Sequence, residues 1–161
     1  MALMDVTSDQ ITNSNASPKV LNPPADITGK VRIQYFSYTQ GAVVADIAST
    51  FDLLQLPPGR IRILSKLSNV SWSALGAART MSIGLRAYTL MSGVAEPVQA
   101  ALLDSAKDWS AAGVAAIGTA LLKDQSIGLT SQAGITVFAT IAGGTVPVGA
   151  TISGWLAYTR D

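Results

Sequence analysis

The chain has 161 residues with no cysteine and no histidine, 11 Lys/Arg against 10 Asp/Glu, and a formal charge of +1. Those absences exclude thiol and imidazole catalysis, disulfides and thiolate metal sites, and a near-neutral charge without a basic run leaves no footprint for nucleic acid. Charged residues are 13% of the chain, against about 25% in a typical soluble domain.

A mean hydropathy of +0.35 would suit a membrane protein, yet no stretch approaches the roughly 18 consecutive apolar residues that a spanning helix needs. The longest candidate, Gly113 to Leu122, is short and rich in Ala and Gly. Asp5 and Asp9 stand where a signal peptide would carry its basic residues, and no apolar segment follows them. The reading is a soluble, sparsely charged chain without membrane association. Either partner subunits cover much of its surface, or that surface is a neutral one of Ala, Gly, Ser and Thr. At this length a domain buries about 68–70% of its unfolded surface, so no metal or disulfide staple is required.

Residues 1–30 show no periodicity and are rich in Ser, Asn and Pro, with single apolar residues Val6, Ile11, Val20 and Leu21 spaced between. Such a segment buries too little to order itself, so it is expected to be an extended arm whose apolar residues anchor on a partner. Residues 31–161 form the expected β-sandwich domain. Val31 to Tyr38 alternates as a strand with aromatic residues on both faces, and Gln40-Gly41 turns it. Val43 to Leu56 is the next extended segment. It runs into Leu56-Pro57-Pro58-Gly59-Arg60, where fixed proline φ values and a permissive glycine end the strand.

Beyond that turn, Ile61, Ile63, Val70 and Trp72 mark a β-rich segment from Arg60 to Ala74. After the break at Gly76-Ala77-Ala78, Met81, Ile83, Leu85 and Ala87 alternate with polar or small residues up to Tyr88. Period two predicts one buried face and one polar face, and a β layer built on this pair of segments is expected to organise the fold. Glu96-Pro97 resembles a helix entry, and Val98, Leu102, Ala106 and Trp109 share a helical face, so a short helix is expected near 97–108. Val114 to Leu122 reads as a small-residue strand or an Ala-rich helical turn. Lys123-Asp124 turns the chain. Gln125 to Ser131, Ile135 to Ala142 and Val148 to Thr159 then read as strands separated by Gly and Pro turns. The expected fold class is all-β: an antiparallel β-sandwich or jelly roll with one short helix and an N-terminal arm.

No catalytic constellation emerges. Serine is abundant, but a Ser–Lys pair needs a desolvated lysine, and most of Lys19, Lys30, Lys66, Lys107 and Lys123 sit beside turns or polar residues. No two acids stand at a spacing that suggests paired carboxylates. Asp104 and Asp108 lie four apart, the spacing of a solvated helical face more often than of a metal site. Gly143-Gly144-Thr145 lacks the lysine and the helix of a phosphate loop. Arg60, Arg62, Arg79 and Arg86 are the one concentration of charge. They read as outward residues of a half-exposed sheet, or as contacts to acidic groups on a neighbouring subunit. Trp72, Trp109 and Trp155 read as core residues, or as a sugar-stacking platform in an adhesion or carbohydrate-binding module.

Three blocks carry a resemblance: Asp52-Leu53-Leu54-Gln55-Leu56-Pro57-Pro58-Gly59-Arg60-Ile61, Arg79-Thr80-Met81-Ser82-Ile83-Gly84-Leu85 and Lys123-Asp124-Gln125-Ser126-Ile127-Gly128-Leu129. A Gly/Thr-rich hairpin and Gly154-Trp155-Leu156-Ala157-Tyr158 follow the last. In this order, over residues 45–160, they resemble small tailed-bacteriophage virion proteins of β-sandwich or jelly-roll fold, some of which are capsid cement (decoration) proteins. The resemblance implies a non-enzymatic structural protein of the virion surface, assembled in the host cytoplasm and carrying no cofactor. It would bind the major capsid protein and form a dimer or trimer. The partner-contact candidates are Val6, Ile11, Val20, Leu21, Arg60, Arg62, Arg79 and Arg86.

Overall fold

The alternation read in the sequence folds into two antiparallel sheets that close on one core. The computed structural model describes residues 30–42, 47–118 and 126–160. Its strands, in chain order, are β1 (Arg32–Thr39), β2 (Thr50–Leu56), β3 (Gly59–Leu64), β4 (Asn69–Trp72), β5 (Thr80–Leu85) and β6 (Tyr88–Thr89). Then come β7 (Ala95–Glu96), β8 (Gln99–Asp108), β9 (Gly113–Ala116), β10 (Ser126–Ser131), β11 (Ile135–Ala142) and β12 (Thr151–Arg160).

One sheet runs β10-β3-β12-β4-β9, with β1 along the other side of β12; the second runs β2-β11-β5-β8; β6 and β7 form a separate hairpin. The inner faces supply Ile61, Ile63, Val70, Ile152 and Leu156 from the first sheet and Met81, Ile83, Leu85, Ile135, Val137 and Ile141 from the second, all in one cluster. Burying a side chain of this kind contributes about 1.5–3 kcal/mol, and both sheets depend on the same cluster. The result is the all-β sandwich that the residue pattern implied.

The Pro57-Pro58 turn does more than end a strand. Leu56 pairs with Ile135 in the second sheet and Gly59 pairs with Ser131 in the first, so the turn carries the chain from one layer to the other. Gly59 has φ +108°, a backbone conformation that a side chain would strain.

Two expectations are corrected. In place of a helix near 97–108 stands strand β8 (Gln99–Asp108), paired antiparallel with β5, and the described residues contain one helical turn, at Ser65–Leu67. Its apolar residues mimic helical spacing because β8 is bulged. Met81 to Ile83 advances two residues while the partner goes from Lys107 back to Asp104; Ile83 to Leu85 advances two while the partner goes from Asp104 to Gln99. Extra residues of this kind destroy period two, and Ala106 in the same strand has φ +45°. Secondly, Arg60–Ala74 and Arg79–Tyr88 do not share a layer. The helical turn splits the former into β3 and β4 of the first sheet, whereas β5 belongs to the second.

Arg79 closes one end of the sandwich. Its Nε donates to the Thr145 carbonyl at 3.2 Å and its Nη1 to the Ala77 carbonyl at 2.7 Å, tying the turn before β5 to the loop before β12. Charge-assisted bonds of this kind are worth about 1.5–3 kcal/mol, so Arg79→Ala is expected to lower unfolding stability by about 2 kcal/mol in a urea titration. Lysine, with one ammonium in place of a forked donor, should restore only part of that loss.

Candidate functional site

Among the described residues no group of three metal-ligating side chains converges, and the ionisable groups with resolved shifts have plain structural causes. Asp108 is held below the usual carboxylate range by hydrogen bonds from Ser110. Burial, and next the nearby Glu96 carboxylate, push the Tyr88 hydroxyl up.

Residues of β1 alternate between the two sides of the first sheet. Phe36 enters the core, whereas Val31, Ile33 and Tyr35 are exposed on the outside, Tyr35 at 73%. Tyr35 lies directly opposite Trp155 of β12, with ring centroids 6.3 Å apart and planes tilted by 56°. The Trp155 ring, 37% exposed, is fixed because its indole N–H donates to the Leu67 carbonyl at 2.8 Å. With its one polar atom satisfied inside the chain, the rest of the ring is an apolar surface. Leu67 is itself exposed beside it. The outer face of the first sheet thus carries a preformed apolar stripe with two aromatic rings.

Arg60 and Arg62 alternate with the buried Ile61 and Ile63, so both project from that same outer face. Arg62 pairs with Thr159, and Arg160 pairs with Ile61. Arg79 and Arg86 are placed differently, because β5 lies in the other layer. Arg79 is held by the two carbonyls described above. Arg86 binds Asp52 at 2.8 Å and Thr50 at 2.8 Å, and its guanidinium lies 4.2 Å above the Phe138 ring. That geometry seals Phe138, which sits on the outer side of the second sheet in register with Asp52 and Gly84. Of the four arginines, two face outward and two are occupied within the chain. Val6, Ile11, Val20 and Leu21 lie outside the described residues.

The tryptophans also separate. Trp72 and Trp109 stack at 4.4 Å with planes 8° apart and both are buried, with the Trp72 indole N–H donating to the Ala111 carbonyl at 2.8 Å. Only Trp155 reaches the surface, so the three indoles do not form a shared stacking platform. The stripe on β1 and β12 escaped the sequence reading, although one signal was present. A strand with Val31, Ile33 and Tyr35 on one side and Phe36 and Tyr38 on the other is either buried on both faces or leaves an apolar face open.

No protein-family profile matches the chain, and no curated protein sequence does. Among solved structures, a chain of the cyanophage Pam1 capsid asymmetric unit is similar, with a TM-score of 0.57 at 15% identity, covering 98% of this chain and 100% of that one. Chains of infectious bursal disease virus, one from the Gt strain and one from a VP2 subviral particle, reach TM-scores of 0.49 and 0.48. Their identities are 9% and 11%, over 81% and 80% of this chain and 32% and 33% of theirs, a likeness too loose to argue from. The Pam1 likeness is one of fold over the whole length.

Proposed function

We propose that this protein is a capsid cement (decoration) protein of a tailed bacteriophage, binding the outside of the assembled head and bridging neighbouring capsomers. The observation that carries the reading is the end-to-end fold likeness to a chain of a phage capsid asymmetric unit. The three sequence blocks that resemble small tailed-phage virion proteins, some of them cement proteins, support it independently. So does a β-sandwich whose described residues hold a fixed apolar stripe and no metal-ligating cluster. The partner is the major capsid protein, the protein itself is a dimer or trimer, and its place is the virion surface.

The mechanism is mass action. A protein that binds only the closed shell shifts the equilibrium toward that shell by RT ln(1 + [L]/Kd), about 2.7 kcal/mol per site at a hundredfold excess over Kd. Binding needs shape and area rather than a reacting group. Residues 1–30 act as an arm in this reading, with Val6, Ile11, Val20 and Leu21 buried against the shell; the ordering cost is offset by that burial.

The test is co-sedimentation of the purified full chain with heads assembled without it, followed by heating of the decorated and bare particles. Saturable binding and a higher disruption temperature are expected. Deleting residues 1–28 should weaken binding and leave cooperative melting intact. No sedimentation with heads at saturating protein would reject the proposal.

A further inference from the structure

Among the described residues, acidic side chains are absent from the strands of the first sheet. Among the described residues the carboxylates are Asp52 on β2, Glu96 on β7, and Asp104 and Asp108 on β8; the strands of the first sheet carry none. Each of the four is engaged: Asp52 with Arg86, Glu96 with Gln99, Asp104 with Lys107, and Asp108 with the Ser110 backbone. The first sheet has the opposite character. Arg60 and Arg62 stand on its outer face, exposed Lys66 adjoins Leu67, and exposed Arg32 and Arg160 lie at the neighbouring ends of β1 and β12. Among the described residues none of these five cations has an ion-pair partner. Arg60 and Arg62 share the outer face with Ile33, Tyr35 and Trp155 because β1 and β3 flank β12, whereas Arg32 and Arg160, paired with the buried Tyr158 and Ile61, lie on the other side of that sheet.

We infer that the outer face of the first sheet is the surface that docks on the shell, and that it takes a protein surface with an apolar centre and a cluster of carboxylates at one end. This deepens the cement-protein reading and rests on it. Charge complementarity selects the occupant. A face whose strands carry two outward arginines and, among the described residues, no acid gains on-rate and orientation from an acidic partner and is repelled by a basic one. A second copy's sandwich fits poorly, because its described carboxylates are already engaged within their own chain. A phosphate backbone would satisfy the cations and leave Ile33, Tyr35 and Trp155 facing a charged, hydrated polymer. A protein interface uses all of them, since Trp, Tyr and Arg are the residues that dominate binding energy. The Trp155–Leu67 hydrogen bond fixes the central ring beforehand, which spares part of the ordering cost.

The experiment compares the full-length wild type with Arg60→Glu/Arg62→Glu and Ile33→Thr/Tyr35→Thr, each shown to melt cooperatively. Met91→Ser/Val94→Ser, on the exposed tip between β6 and β7, serves as a surface control. The probe is again heads assembled without this protein. Each face variant is expected to bind at least about tenfold more weakly and the control to bind as wild type. Wild-type binding should weaken between low and about 0.3 M salt. If the wild type binds and both face variants bind equally well, this inference is wrong and the cement reading survives. If the wild type does not bind heads, both fail. Tighter binding to a double-stranded DNA fragment than to heads, lost in Arg60→Glu/Arg62→Glu, would overturn the assignment in favour of nucleic acid. Self-association of the free chain abolished by the same variant would overturn it in favour of a second copy.

Discussion

Replacing Gly84 by alanine should cost about 3 kcal/mol and lower the melting temperature by roughly 6–12 °C, measured by differential scanning calorimetry. Gly84 lies in the middle of β5 and is buried. A Cβ built there collides with the carbonyl oxygen of Gln99 and with the backbone of Ala100. These atoms are main chain, so no rotamer change relieves the overlap. β8 would have to lift off the sheet at the place where its extra residues close over Phe138's side of the layer. Gly128→Ala is the matched control: it is also a strand glycine, but its Cβ meets nothing within 4 Å. Its effect should stay within about 0.5 kcal/mol. Equal losses for the two would show that the approach of β8 is not what requires Gly84.

Asp104→Ala is expected to cost about 3 kcal/mol, because it leaves an ammonium without its partner in a nearly closed site. Asp104 is 1% exposed. Its Oδ1 lies 3.2 Å from the Lys107 Nζ, and its Oδ2 accepts from the Gly118 N–H at 3.4 Å. Lys107 in turn donates to the Ala116 carbonyl at 2.9 Å. β8 belongs to one sheet and β9 to the other, so this small network fastens the two layers together along one side. In a double-mutant cycle, Asp104→Ala with Lys107→Ala should lose less than the two single changes added, by about 1–3 kcal/mol. Strict additivity in urea unfolding would show that the pair is not coupled.

Much of the sandwich was legible because period-two alternation reports burial directly. Met81, Ile83 and Leu85, and likewise Ile135, Val137, Ala139 and Ile141, are buried as their spacing implies. The turn at Pro57-Pro58-Gly59 was legible because its backbone restrictions are local. What failed was non-local. β8 looked helical since bulges opposite β5 break its alternation, and a bulge exists only relative to a partner strand. The split of Arg60–Ala74 at Ser65–Leu67, and the placing of β3 and β5 in different layers, depend on which strands meet across the whole chain. For the same reason the four arginines, close in sequence, part company in space. Arg60 and Arg62 project from one outer face, while Arg79 and Arg86 are consumed by carbonyls, Asp52 and Phe138. The apolar stripe was hidden in the same way, since Tyr35 and Trp155 are 120 residues apart and become neighbours only through the β1–β12 pairing.

That pairing also governs when the protein can become whole. β12 is bordered by β1 on one side and by both β3 and β4 on the other, so three strands wait on residues 151–160. Sheets assembled from such distant segments fold in roughly milliseconds to seconds, because the closure entropy must be met before the contacts form. Until β12 arrives, β1 lacks its one partner strand among the described residues, and Trp155 and Tyr35 cannot meet. The apolar stripe is therefore created by the same late event that completes the sheet. An unfinished chain would lack the Tyr35–Trp155 pair, and with it the docking face proposed above.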